Sequence, residues 1–279
     1  KCELALPIKG APRIPEITTR GVVSDAQFAY RGLPFTVTEL SGDIVYQYPQ
    51  GISGGTLAGN FFGDDITLNL DPVAVDLGLS AVGFSLSTRA NLSASTLAGL
   101  ANLKLPDALM SGDSDFSVAF QAGEGVRLSV MSDLVGLESF MPAPFTKARD
   151  VPQPLRFDLD MSDTPEAVVR YGNVLTGYGL LKPQGWSMIA EVGIDSEDGL
   201  AAASALPANT IQVSGSLAEL DLAAWAGTIE RLNLSSTGGD LTTQWSQVAI
   251  DRLALGPGQL VDFVTSGQFN GEKLDMAIR

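Results

Sequence analysis

The residues from Val126 to Leu155 read VRLSVMSDLVGLESFMPAPFTKARDVPQPL. Val126, Leu128 and Val130 alternate with Arg127, Ser129 and Met131, the period of two that marks a strand with one apolar side. The pattern then changes. Ser132 and Asp133 are N-capping residue types. Leu134, Leu137, Phe140 and Met141 follow at i, i+3, i+6 and i+7. This spacing predicts a short helix over 133–141, packed on a sheet through Leu134, Leu137 and Phe140. Pro142 and Pro144 end it, because proline has no N–H and restricts the residue before it. After Lys147, Arg149, Pro152 and Pro154 a clean strand begins, with Leu155, Phe157 and Leu159 opposite Arg156, Asp158 and Asp160.

The same alternation extends in both directions. Residues 1–20 are proline-rich, with Leu4, Leu6 and Ile8 alternating. From Gly21 to Leu92 short alternating pieces are cut by glycines: Ile44 and Tyr46, then Ile66, Leu68 and Leu70 opposite Thr67 and Asn69, then Val73, Val75 and Leu77, then Val82, Phe84 and Leu86. Turn signals every eight to twelve residues predict a meandering antiparallel sheet. Residues 93–111 break the rhythm. Ser93 or Ser95 there can cap a helix carrying Leu97, Leu100, Ala101 and Leu105. Strands resume at Phe116, Val118 and Phe120 and are expected near 168–181, 186–194 and from 241 to the end. The clearest helix is 221–232, with Leu222, Trp225, Ile229 and Leu232 on one face, Asp221 at its start and Arg231 at its end.

Composition narrows the function. The 279 residues carry 17 basic and 32 acidic side chains, a net charge of -15. That opposes nucleic acid, whose binding rests on phosphate neutralisation, and tight adsorption to anionic headgroups. The absence of histidine removes the commonest general base, the Ser-His and Cys-His pairs and most zinc sites. Cys2 is the only cysteine, so no disulfide forms within the chain. No run approaches the ~20 apolar residues of a membrane span. The chain is read as an excerpt of a longer protein.

The run Ser132, Asp133, Leu134, Gly136, Leu137, Pro142, Pro144 and Lys147 resembles the Ser-Asp-Leu-x-Gly-Leu…Pro-x-Pro…Lys stretch of the YhdP branch of AsmA-like proteins. Met141 stands where Leu is usual. Leu220, Asp221, Leu222 and Trp225 resemble the family's Leu-Asp-Leu-x-x-Trp element, in the same order and at about the same separation. Gly42 and Tyr46, then Gly59, Phe61, Phe62 and Gly63, are similar to AsmA-like repeats. The resemblance implies a periplasmic segment of a Gram-negative envelope protein, anchored in the inner membrane by a part outside this chain and reaching toward the outer one. It also implies a long curled antiparallel sheet whose apolar groove carries lipid.

The carboxylate pairs Asp64–Asp65 and Asp158/Asp160 read as a solvated turn and a solvated strand face. Without histidine, Ser132–Asp133 reads as a cap and not a nucleophile, and Lys147 as a solvated or capping loop residue. The apolar faces leave two alternatives open. A β-sandwich buries them against a second sheet, whereas an open curled sheet offers them to acyl chains. Periodicity is identical in the two. Sandwiches are the commoner all-β solution, and the resemblance favours the groove.

The expected fold is therefore mainly β: one elongated, curled antiparallel sheet over residues 1–279 with two or three short helices. The expected function is non-enzymatic transfer of phospholipid, without a cofactor. Val118, Phe120, Leu128, Val130, Leu155, Phe157 and Leu159 are the candidate lipid-binding residues. Phospholipid, inner- and outer-membrane components and adjoining segments of the same longer chain are the expected partners. A structural or adhesive sandwich is the second reading. A glycan-active enzyme is the third, and no carboxylate pair flanked by stacking aromatics supports it.

Overall fold

The computed structural model describes residues 2–5, 16–30, 35–48, 51–73, 83–100, 109–123, 125–193, 198–232, 242–256, 258–269 and 274–278. The expected helix positions Ala101 and Leu105, strand positions Leu6, Ile8, Val75, Leu77 and Val82, and the side chains of Ile229 and Leu232 lie outside the described residues. Most described residues are in strands, joined by three short helices. Contacts divide the chain into two compact units. Unit 1 comprises Lys1–Leu92, Asp115–Val130 and Asp160–Asp163; unit 2 comprises Ser93–Ser114, Met131–Leu159 and Thr164–Arg279.

Unit 1 is built on β1 (Cys2–Ala5), β2 (Glu16–Ala29), β3 (Thr36–Tyr48), β4 (Gly51–Phe61), β5 (Asp64–Val73) and β6 (Gly83–Ser93). Each of the first five pairs antiparallel with the next, as the turn spacing predicts. The β4–β5 hairpin turns on Phe62 and Gly63, both at positive φ, and the Asn60 side chain accepts from the Gly63 amide at 2.9 Å. Asp64 and Asp65 sit exposed at this turn.

The chain continues through α1 (Ala94–Leu100), β7 (Met110–Ala122), β8 (Val126–Ser132), β9 (Leu137–Ser139) and β10 (Leu155–Asp160). Ser93 caps α1, its hydroxyl accepting from the Thr96 amide at 3.1 Å. Unit 2 then adds β11 (Glu166–Tyr171), β12 (Leu175–Lys182), β13 (Gly185–Val192), α2 (Gly199–Ala205), β14 (Thr210–Leu217), β15 (Leu220–Asp221), α3 (Leu222–Leu232), β16 (Thr242–Leu255), β17 (Gly258–Phe269) and β18 (Leu274–Ile278). The expected strand at 168–181 is thus a hairpin of two, β11 and β12.

Two expectations are corrected here. The sheet is mixed, not wholly antiparallel: β13 runs parallel to β14, and β14 and β15 run parallel to β16. Parallel neighbours need a crossover of a dozen or more residues, and the α2 and α3 segments provide it. The α2 sequence GLAAASA has one large apolar residue, Leu200, and so no periodic pattern to announce a helix. The helix at 221–232 is present as α3, with Asp221 Oδ1 accepting from the Ala224 amide at 3.0 Å. Leu222 at its start is nonetheless 43% exposed.

The second correction is the helix at 133–141, which does not form. The chain turns instead at Leu134 (φ 55) and Gly136 (φ 100) and enters β9, which pairs antiparallel with Met110–Gly112 of β7. Ser132 Oγ accepts from the Leu134 amide at 2.9 Å and Asp133 Oδ1 from the Val135 amide at 3.0 Å, so these residues cap a turn two residues on. The amides that a helix would turn inward are bonded elsewhere: Gly136 N–H to Arg149 O at 2.8 Å, Ser139 N–H to Lys147 O at 2.8 Å, Phe140 N–H to Leu109 O at 3.0 Å. Leu134 and Leu137 are buried as expected, but Phe140 is 52% exposed.

Candidate functional site

Strand register fixes which side chains share a face. In unit 1, Gly21, Ile44, Gly55, Leu70 and Leu86 form one transverse row across β2 to β6. Beside it Gly42, Leu57 and Leu68 form another. The opposite face carries Asp43, Thr56, Asn69 and Ser87 in register. The sheet is therefore apolar on one side and polar on the other. Leu57, Leu68, Leu70 and Leu86 are buried.

Unit 2 follows the same rule with one difference. Val169, Gly177, Ala190, Val213, Trp245 and Gly267 form a row across six strands. Where Gly177 lacks a side chain, Val169 Cγ1 fills the space, and the Trp245 ring does the same over Gly267. Met188 and Ile211 lie beside this row, and Met188 is 37% exposed. The row leads into a cluster of Val248, Ile250, Leu253 and Phe263, on which Val213, Leu217, Leu220 and Trp245 pack.

The other face of unit 2 divides in two. Tyr178 and Ile189 are opposite each other and pack with Ala203 of α2. Tyr178 lies against Gly199, where any side chain would collide with its ring. Beyond α2 the same row turns polar: Gln212, Gln244, Gln268 and Asp275 continue it over four strands. Gln244 Nε2 donates to Gln212 Oε1 at 3.1 Å. A shallow cavity of about 690 Å³ lies along this polar edge.

Of the seven candidate residues, Val118, Phe120, Leu128 and Val130 belong to unit 1, and Leu155, Phe157 and Leu159 to unit 2. Phe120 and Leu128 are buried; the other five are half-buried. Phe120 is the centre of an aromatic group, with Phe28 edge-on at 5.2 Å, Tyr30 at 5.8 Å and Phe84 at 6.1 Å. The charged side of β10 is tied by ion pairs, Arg156 to Asp158 at 2.6 Å and Arg127 to Asp160 at 3.0 Å. The Ser162 hydroxyl and amide bond Asp160 as well and, with Arg127, hold its carboxyl below the usual carboxylate range.

Of the two roles expected of Lys147, solvated or capping, the structure shows the capping one. It is 6% exposed, and its ammonium donates to Leu137 O at 2.7 Å and Ala148 O at 3.0 Å. Burial pulls its pKa down, against the opposing pull of Asp133, Asp150 and Glu138. Its backbone bridges Ser139, so the lysine ties β9 to the loop after the prolines. A lysine whose donors end on main-chain carbonyls acts as a structural cross-tie.

Three features were not legible as parts of a site. The first is the α2-covered core, whose small residues give no periodic signal. The second is the face of Trp245 and Met188, divided among strands far apart in sequence. The third is the contact between Phe145, Tyr171 and Trp225. Both family-like motifs supply a member of that contact, and this was the signal available.

A family model described as YhdP protein matches residues 3–278. The chain belongs to the YhdP family. Membership implies an envelope protein of the lipid-transfer type, in a family without enzymatic activity. No curated protein matches the chain, and no solved structure does. Among the described residues no helix is long and apolar enough to cross a membrane.

Proposed function

We propose that residues 1–279 act as one segment of a periplasmic lipid conduit, carrying phospholipid acyl chains along an apolar groove between the inner and outer membranes. The carrying observation is the apolar row of unit 2, in which Val169, Ala190, Val213 and Trp245 are half-buried, with Met188 open beside it. Each acyl chain covering that face removes water from apolar surface, worth about 25 cal/mol per Å². A six-residue strand spans roughly 20 Å, close to an acyl chain's length. In this reading Val118, Phe120, Leu128, Val130, Leu155, Phe157 and Leu159 contact lipid, and neighbouring segments of a longer chain continue the sheet. The Asp, Thr, Asn and Gln rows of the opposite faces keep the conduit wetted.

One observation favours a closed structural core instead: the protein's own atoms leave Leu57, Leu68 and Leu128 only 5–6% exposed. Lipid extraction and mass spectrometry of the purified chain, beside Phe157→Asp, separate the two. A groove residue tolerates the charge, keeping the melting temperature within a few degrees while photo-crosslinking to phospholipid falls. A sealed core does not, because an unpaired buried charge costs several kcal/mol. Global unfolding of the variant, together with lipid-free wild type, refutes the conduit.

A further inference from the structure

The face of unit 2 on which α2 lies changes character at β14. On β12 and β13 it presents Tyr178 and Ile189, packed with Ala203 of α2. The next strand in register presents Gln212, and the row continues through Gln244, Gln268 and Asp275. Register puts these four side chains on one side of the sheet, one to a strand. Neighbouring strands lie about 4.8 Å apart, so the row runs roughly 14 Å across β14, β16, β17 and β18. Gln212, Gln244 and Asp275 are half-buried, and Gln268 is exposed.

The polar row of unit 1 mixes four residue types, Asp43, Thr56, Asn69 and Ser87. Here three of four are glutamine. Each carboxamide carries two N–H donors and an acceptor oxygen. Gln244 Nε2 donates to Gln212 Oε1, which sets the two amides side by side and leaves the Gln212 amino group and the Gln244 oxygen for a ligand. Gln268 adds a third carboxamide and Asp275 a further acceptor. The shallow cavity along the row, about 690 Å³, has the size of a small-ligand site. None of the described residues lining it is basic, so it offers no charged partner to a phosphate or sulfate. An uncharged ligand with donors and acceptors repeating near the strand spacing suits this wall.

We infer that the row of Gln212, Gln244, Gln268 and Asp275 binds an extended, uncharged glycan, a β-1,4-linked chain of N-acetylhexosamines lying across the strands. Such a chain advances by close to one strand spacing per pyranose, so successive sugars meet successive strands. Alternate sugars are turned over, so a strand that meets an acetamido group is followed by one that meets hydroxyls. A carboxamide pairs with either, donating and accepting at once. The site lies on the face opposite the row of Val169, Ala190, Val213 and Trp245. It therefore does not rest on the lipid-conduit reading, and it leaves the apolar face open. A free oligosaccharide and a strand of cell wall share this chemistry.

The test is isothermal titration calorimetry of the full chain with chitohexaose, which wild type binds saturably. Gln268→Ala, at an exposed position, weakens binding about tenfold, and Gln268→Glu, which keeps the size and loses the amino donors, does the same. Gln244→Ala combined with Gln268→Ala leaves no measurable binding. Maltohexaose, whose α-1,4 linkages coil the chain out of step with the strands, does not bind. Circular dichroism checks the fold, and if the double variant unfolds, the two single variants at Gln268 decide. Co-sedimentation with purified cell-wall sacculi then names the source: pelleting that Gln268→Glu weakens assigns a wall strand, and chitohexaose binding without pelleting assigns a free oligosaccharide. No binding of chitohexaose by wild type, undiminished binding by the Gln268 variants, or equal binding of maltohexaose overturns the site. The lipid-conduit reading stands or falls separately, on lipid extraction and Phe157→Asp.

Discussion

Residues 132–141 and 221–232 both start with a capping residue and carry large apolar side chains at helix-like intervals, yet only the second is helical. The difference lies in where the amides go. In α3 the amide of Ala224 finds Asp221, and from there the helix satisfies itself. The amides of Gly136, Ser139 and Phe140 are instead bonded by carbonyls of Arg149, Lys147 and Leu109, brought from both sides in sequence. Those partners outcompete a short isolated helix, which is marginal below about 12 residues. Apolar spacing states which residues want burial; it does not state which backbone will deliver them.

The strongest way to break this comparison is the same substitution on each side of it. Gly136 has φ 100, and a Cβ there would fall 2.2 Å from Asp113 O. Gly136→Ala should destabilise by about 4 kcal/mol in chemical denaturation. Leu137→Ala should cost about 3 kcal/mol, since the side chain is 3% exposed and its loss leaves a cavity. A flat melt for Leu137→Ala would remove the packing role assigned to the turn.

Lys147 comes next. Its folded pKa is lowered, so below that pKa the buried charge costs stability, and the cost fades as pH rises toward the unfolded value of about 10.4. The neutral amine still has two N–H groups for Leu137 O and Ala148 O. Wild type should therefore gain stability relative to Lys147→Met over that alkaline window and show a constant difference below it. A difference independent of pH up to 10.4 would show that the lysine is not desolvated.

The smallest effect has the opposite sign. Gly227 in α3 has open space where a Cβ would sit. Gly227→Ala should stabilise by about 0.5–1 kcal/mol, the ordinary gain of alanine over glycine inside a helix.

Much of unit 1 was legible because each of its first five strands pairs with the next, so alternation along the chain is alternation across the sheet. Ile66, Leu68 and Leu70 are buried and Thr67 and Asn69 exposed, as their order implies. Unit 2 was less so. Val213 meets Trp245 and Ala190 in register, and no local pattern announces partners more than twenty residues away. α2 hides among alanines because its work is to lie close on Tyr178, where small residues fit. The seven candidate residues were chosen by alternation alone, which identifies a face and is silent on how tightly Phe120 packs compared with Phe157.

Unit 1 is made of three stretches, the last of them Asp160–Asp163. Met161 donates its amide to Val126 O at 2.7 Å, and Asp160 pairs with Arg127. A chain that emerges from its N-terminus, from a ribosome or through a translocation pore, presents the first six strands long before those closing residues arrive. During that delay Phe28, Tyr30 and Phe84 stand without Phe120, a sticky surface in a crowded compartment. The same interleaving forbids a clean cut: trimming the protein anywhere between 93 and 163 leaves the first unit unfinished.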